Sequence, residues 1–328
     1  MSGNLPLVSV CIPAYNSAKW ISDTLVSAVN QTWQNKEIII VDDGSTDNTW
    51  EIIESFIAKY PHIIRAFRQN NKGACAARNF AFRESKGIYI QWLDSDDLLH
   101  PQKLEIQINY SNQTKDPQIL FCGSLGIFRK NPSRSIFLEN ELSTDLNPLD
   151  WMIIFLGKVL MTQPGAWLIH RNLIEKAGLW DESLIRNQDG EYIFRTVANS
   201  TFIKFTKEAK LFYRKSNPSS ISSDYSTKAI ESVFHSIKNC IDILYQKDRS
   251  NRADEAVKYA LRIFISRYFY SSSPAVKTAI ELLKNYGETF DVPDESFPFK
   301  ALKYILGLNS ALRLKSFWGK LKNSFILK

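Results

Sequence analysis

Two acidic clusters carry the side chains best suited to chemistry: Asp42 and Asp43 in Val41-Asp42-Asp43-Gly44-Ser45, and Asp94, Asp96 and Asp97 in Leu93-Asp94-Ser95-Asp96-Asp97. Five carboxylates gathered along one edge would repel one another, and a bound cation relieves such crowding. In an extended segment residues i and i+2 point to one side, so Asp94 and Asp96 could address a single ligand or ion. Hard oxygen donors this few in number suit Mg2+ or Mn2+, held jointly by one or two carboxylates and a substrate diphosphate. The plainer alternative is that these residues only cap helices. Lys72 and Arg78 flank a third turn, where they could neutralise a diphosphate or lie in solvent as ordinary surface charges. The chain has no G-x-x-x-x-G-K-[ST] and no G-x-G-x-x-G after its first apolar run, which argues against ATP hydrolysis and dinucleotide binding by those routes.

Positioning these clusters requires a sheet. From Leu7 to about Leu93 short apolar runs alternate with helical patterns, the signature of βαβ units and a parallel sheet. The strands expected are Val8 to Ile12, Glu37 to Val41, Ile63 to Phe67 and Ile88 to Leu93, with runs as apolar as Ile38 to Val41 calling for helices on both faces. Helical spacing appears in Trp20, Ile21, Leu25 and Ala28, then in Trp50, Ile53, Phe56 and Ile57. Asn16 or Ser17 is expected to cap the first of these helices, and Ser45 or Thr46 the second. A third helix, Ala74 to Glu84, follows the turn Asn70-Asn71-Lys72-Gly73. Ligands of such sheets bind beyond the carboxyl ends of the strands, where both acidic clusters fall. Past Pro101 the alternation weakens to a helix over Gln102 to Ser111, a strand-like stretch over Ile119 to Phe128, and helical segments at Trp151 to Leu160 and Arg171 to Gly178. The cluster Ser216 to Ser223 reads as a loop. Helical patterns return over Ala229 to Gln246 and Asp254 to Ser271, with a boundary near Ser226.

Length and composition agree. The 328 residues leave room for about two domains, and 44% apolar with 23% charged residues is the balance of a globular chain. The longest apolar stretch, Trp151 to Met161, is too short to span a bilayer and contains Lys158. MSGNLPLVSV has no secretory pattern, so the expected location is cytoplasmic. Four scattered cysteines without a CxxC pair, and four dispersed histidines, argue against zinc sites and disulfide frameworks. The net charge of +7 resides wholly in residues 299–328, which hold seven Lys and Arg and no acid, so no nucleic-acid-binding body is expected. On a helix advancing about 100° per residue, Leu314, Phe317, Trp318, Leu321 and Phe325 share one face flanked by Arg313, Lys315, Lys320 and Lys322. That is the pattern of a helix lying in an anionic membrane interface, the alternative being a helix packed on the protein's own body. Peripheral attachment at the inner face of the membrane is therefore expected.

Pro13-Ala14-Tyr15-Asn16, Val41-Asp42-Asp43-Gly44-Ser45-Thr46-Asp47, Asn71-Lys72-Gly73 with Ala77-Arg78-Asn79, and Asp94-Ser95-Asp96-Asp97 together resemble the family 2 inverting glycosyltransferases of GT-A fold. Trp180-Asp181-Glu182-Ser183-Leu184 and Gln188-Asp189-Gly190-Glu191-Tyr192 are similar to the family's acidic motif on the acceptor side. The resemblance implies an α/β, Rossmann-like, mostly parallel sheet flanked by helices and followed by a helical C-terminal region. Residues 1–110 would be the half that binds the nucleotide sugar, 111–225 the half with the acceptor site and catalytic base, and 226–328 the helical region with its basic tail. It further implies that Pro13, Ala14 and Tyr15 line a nucleoside pocket and that Asp43 accepts a hydrogen bond from the base. Lys72, Gly73, Asp94 and Ser95 would complete the nucleotide site, with Arg78 holding the nucleotide and the Asp94 region. Asp96 would bind the Mg2+ or Mn2+ of the Asp-x-Asp motif, and Asp189 would be the catalytic base.

Two departures stand out. Gln188 occupies a position where the family commonly has Glu, so Asp189 lacks a neighbouring charge and Glu191 is a rival for its role, or else a helix N-terminal carboxylate favoured by the dipole. Tyr213-Arg214 is followed by Lys215-Ser216 where a histidine is common, which leaves diphosphate contacts to Arg214 or Lys215. The expected activity is metal-dependent transfer of a sugar from a nucleotide diphosphate, UDP-linked, to a hydroxyl of a glycan or lipid-linked acceptor. A nucleotidyltransferase and a non-catalytic, membrane-recruited nucleotide-binding protein are the alternatives.

Overall fold

The computed structural model describes residues 5–215, 224–269 and 271–290. In chain order the elements are β1 (Val8–Ala14), α1 (Ile21–Val29), β2 (Lys36–Asp42), α2 (Thr49–Lys59), β3 (Ile64–Arg68), α3 (Ala74–Glu84) and β4 (Tyr89–Trp92). There follow β5 (Leu98–Leu99), α4 (Lys103–Thr114), β6 (Ile119–Phe128), β7 (Ile136–Leu138), α5 (Pro148–Lys158), β8 (Trp167–His170), α6 (Arg171–Ala177), α7 (Gln188–Ala198) and β9 (Phe202–Arg214). The helices α8 (Thr227–Lys247), α9 (Asn251–Tyr268) and α10 (Pro274–Lys284) complete the set. The chain divides into two compact units, Met1–Ala260 and Leu261–Lys328. In the second, Ser273 caps α10 by accepting a hydrogen bond from the Ala275 N–H, and Pro274 occupies the first turn, where its missing N–H costs nothing. The basic segment 299–328 lies outside the described residues.

The sheet order is β3-β2-β1-β4-β8-β6-β9-β5, with β7 paired to β6. The first four strands are parallel. Beyond them the sheet is mixed: β8 is antiparallel to β4 and β6, β9 is parallel to β6, and β5 is antiparallel to β9. The β-branched run Ile38-Ile39-Ile40-Val41 is fully buried, as is all of β1, so both faces of the parallel half are covered. The chain winds outward from β1 through β2 to β3 and then places β4 on the other side of β1. That reversal opens a crevice at the carboxyl ends of β1 and β4.

Two expectations about helix starts are corrected. Helix α1 begins at Ile21, and the Ser17 backbone carbonyl receives its first N–H groups while the Ser17 hydroxyl bonds Tyr15 and Ser95. Helix α2 begins at Thr49, whose N–H is taken by Asp47 Oδ1 (3.1 Å), and Ser45 bonds Asp42 instead of capping. In both cases a longer loop has other uses for the hydroxyls.

Lys103 is fully buried under this sheet, donating to Gln91 Oε1 (2.5 Å) and Gln107 Oε1 (2.8 Å), with burial lowering its pKa to about 7. The unfolded chain keeps that proton to about pH 10.4, so between those values the unfolded state binds more protons and stability rises with pH. Melting curves across that window should show wild type gaining on Lys103→Met as pH increases. A constant difference between the two would show that Lys103 stays charged.

Candidate functional site

The crevice is built from loops that follow strand ends. Pro13 and Ala14 close β1 opposite Val41 and Asp42, and the next residue, Tyr15, has 48% of its surface exposed. The Asp43 N–H donates to the Ala14 carbonyl (2.8 Å), which fixes the two loops side by side. Asp43 is itself buried. Its Oδ1 accepts from Gln69 Nε2 (2.7 Å) and the Lys72 N–H (2.8 Å), and Oδ2 from the Gly73 N–H (2.8 Å). Gly73 sits at φ 92°, a left-handed conformation that glycine adopts without a Cβ penalty, and this turns its N–H onto Asp43 at the start of α3. The Lys72 side chain is exposed.

One turn into α3, Arg78 is 4% exposed and reaches across the crevice. Its Nη2 bonds Asp94 Oδ1 (2.7 Å) and lies 3.7 Å from Asp189 Oδ1, while Nη1 donates to Gln188 Oε1 (3.2 Å). The guanidinium stacks 4.3 Å over the Trp180 ring, and Trp180 in turn stacks on Tyr192 at 3.8 Å and 7°. Asn79 holds Trp180 in place by exchanging hydrogen bonds with its backbone N–H and carbonyl, both 2.9 Å. Trp180 and Tyr192 stand in the sequence motifs without an assigned role, because the loop and helix turn between them follow no periodicity that would pair them.

Asp189 opens α7 with 30% of its side chain exposed. Burial pushes its pKa up to about 6, with Asp94 adding to the rise and Arg78 opposing it. Gln188 holds Arg78 with its oxygen and the Leu184 carbonyl with its nitrogen. Glu191 is turned away: it is buried, and both oxygens bind Arg195 (2.8 and 3.1 Å).

The second acidic cluster is a turn, with the Asp97 N–H donating to the Asp94 carbonyl (3.1 Å), which corrects the extended segment expected from the Asp-x-Asp spacing. Ser95 pairs with Ser17 (2.7 Å) and gives its carbonyl to Thr24 (3.0 Å). Nor do all five carboxylates face the crevice. Asp42 is fully buried, paired with Arg68 (2.9 Å) and Ser45. Asp97 is 1% exposed and accepts the Arg214 N–H (2.9 Å); burial, then Asp96 and Asp94, hold its carboxyl well above the usual range. Arg214 is 5% exposed and lies beneath the turn, its Nε donating to the Asp96 carbonyl (2.9 Å), its Nη2 near Asp23 (3.1 Å) and its guanidinium over Trp20 and Phe128. Lys215 is exposed. Of this cluster, Asp94 and Asp96 stay partly exposed, and each lies close enough to Asp97 to raise it. Among the described residues no three His, Cys, Asp or Glu form a metal cage. Two hard oxygen donors fit Mg2+ or Mn2+, which complete their shells with water and substrate phosphate.

The family model described as glycosyl transferase family 2 matches residues 9–178. The chain is 36% identical over 197 residues to an uncharacterized glycosyltransferase of Rickettsia typhi, covering 58% of each. It is 30% identical over 258 residues to the uncharacterized glycosyltransferase YibD of Escherichia coli K12, covering 77% of this chain and 74% of YibD. The match spans only 31% of a Rickettsia felis glycosyltransferase. Among solved structures, S. aureus TarS 1-349 in complex with UDP-GlcNAc superposes with a TM-score of 0.65 at 18% identity, covering 88% of this chain and 82% of that one. The fold is GT-A-like as expected, flanked by helices with a helical C-terminal region, its sheet parallel through β3-β2-β1-β4 and mixed beyond.

Proposed function

The chain belongs to glycosyl transferase family 2, and from that premise we propose that it transfers a sugar from a UDP-linked donor to a hydroxyl acceptor with inversion at the anomeric carbon. The observation that carries this reading is Arg78, buried in the crevice between Asp94 (2.7 Å) and Asp189 (3.7 Å), where donor-side and acceptor-side carboxylates meet on one cation. The likeness to TarS, whose structures hold UDP and UDP-GlcNAc, supports the choice of donor.

In this mechanism the nucleoside lies across Pro13, Ala14 and Tyr15, and the loop Gln69 to Gly73 is braced by Asp43 beside it. The acceptor hydroxyl attacks the anomeric carbon from the face opposite the diphosphate. The new C–O bond forms as the bond to the departing phosphate oxygen breaks, UDP carries away the electron pair, and Asp189 takes the hydroxyl proton. The transition state has oxocarbenium character. A bound Mg2+ or Mn2+, held by Asp96 with Asp94, would supply neutralisation of the charge on the leaving diphosphate. Arg214 and Asp97 set that turn from below, the Arg214 N–H bonding Asp97 and its Nε the Asp96 carbonyl. The acceptor is a glycan or a lipid-linked molecule.

Calorimetric titration with UDP and UDP-GlcNAc, with and without Mn2+, tests the reading. Binding should tighten with Mn2+ and weaken on Asp96→Ala, and UDP should be released when acceptor is added. Metal-independent affinity, or none, would reject it.

A further inference from the structure

We propose that the hairpin made by the end of β6 and β7 docks the protein onto an anionic lipid surface, with its apolar face running inward to the reaction site. The inference rests on the glycosyltransferase reading only for what lies at that inner end.

Strand register defines the face. Along β6, Ile127 is opposite Tyr213 of β9 and Ile136 of β7, and Leu125 is opposite Leu211 and Leu138. Directly opposed residues in a sheet share a face, so two apolar rows run across it: Tyr213–Ile127–Ile136 and Leu211–Leu125–Leu138. At the inner end the Tyr213 phenol stands in the field of Asp97, Asp96, Asp94 and Asp189. At the outer end Ile136 is 61% exposed and Leu138 41%. The hairpin does not need those two to hold it. Phe137, on the opposite face, packs against Phe212 with ring centroids 6.1 Å apart and lies over Gly126, where a Cβ would come within 2.9 Å of its ring.

Charge selects the occupant. Arg129, Lys130 and Arg134 are exposed on the connecting turn, and the sequence has no acidic residue between Asp116 and Glu139. A contiguous exposed apolar patch marks an interaction site, and the cationic turn at one end of this one complements an anionic bilayer interface. Docked on its edge, the protein would receive a lipid-borne acceptor along the row from Ile136 to Tyr213.

Sedimentation of the full chain with phosphatidylcholine vesicles, with and without phosphatidylglycerol, tests this. Wild type should sediment with the anionic vesicles. Both Ile136→Ser/Leu138→Ser and Arg129→Gln/Lys130→Gln/Arg134→Gln should lower the bound fraction about tenfold with melting temperature and UDP binding unchanged; all five positions are exposed, so the charge variant keeps the test sound should the serine pair fold poorly. Variants that sediment like wild type, wild type that ignores phosphatidylglycerol, or a vesicle-free dimer lost in the serine pair would each overturn the proposal. Wild type that binds vesicles but not UDP would sink the glycosyltransferase reading and leave the docking surface standing.

Discussion

Asp189→Asn is expected to slow sugar transfer by about 10²- to 10⁴-fold, the contribution a positioned general base makes, while UDP binding stays near the wild-type value. The substitution keeps the size and one oxygen of the side chain, so the contact with Arg78 persists while the capacity to take a proton is lost. The pH dependence carries the same signature. A base acts only when ionised, and with its pKa pushed up to about 6 by burial, turnover in the wild type should climb as pH rises through that value and flatten above it. An ordinary exposed aspartate would be fully ionised there and show no such limb. Glu191 is distinguished by the same experiment: its buried pair with Arg195 predicts that Glu191→Gln lowers stability with the limb unmoved. An Asn variant with wild-type turnover, or a rate flat through pH 6, would remove Asp189 from the mechanism.

How much of this was legible in the sequence depended on whether local pattern or distant pairing decided each feature. The parallel half was legible because its strands are short, largely apolar runs bounded by turn residues, and α3 fell within the expected bounds since Gly73 and the residues before Gly87 mark its ends. β9 was not. Its pairing with β6 slips at a bulge between Gly123 and Ser124, so the burial of Phe202–Arg214 loses the alternation that announces a strand. β8 is only four residues long and lies wholly buried between two antiparallel neighbours, leaving no period to read. In the site, loop chemistry was legible as a set of motifs. Which carboxylates face the crevice was not, because Asp42 and Asp97 are drawn inward by Arg68 and the Arg214 backbone, partners that no local spacing identifies.

Arg78 gives the other large effect, since it is a cation held between two carboxylates from opposite halves of the crevice. Arg78→Met should cost about 3 kcal/mol of folding stability, the lower end of the range for breaking a buried charge pair, because Asp94 and Asp189 keep 24% and 30% of their side-chain surface in contact with water. The kinetic consequence has a defined sign. Arg78 opposes the rise in the Asp189 pKa that burial and Asp94 produce; without the guanidinium the two carboxylates repel unscreened, and the acid limb of the pH–rate profile moves above 6. Arg78→Lys separates charge from shape. It restores a positive charge, so the limb should return toward its original position, yet a compact ammonium can neither lie flat on Trp180 nor bridge Gln188 and Asp94 at once. Turnover in that variant should stay depressed while its pH profile recovers. Urea denaturation and pH–rate profiles of both variants provide the measurement. If Arg78→Met moves neither stability nor the limb, the two carboxylates are not coupled through it, and the crevice would have to be organised by some other contact between α3, the Asp94 turn and α7.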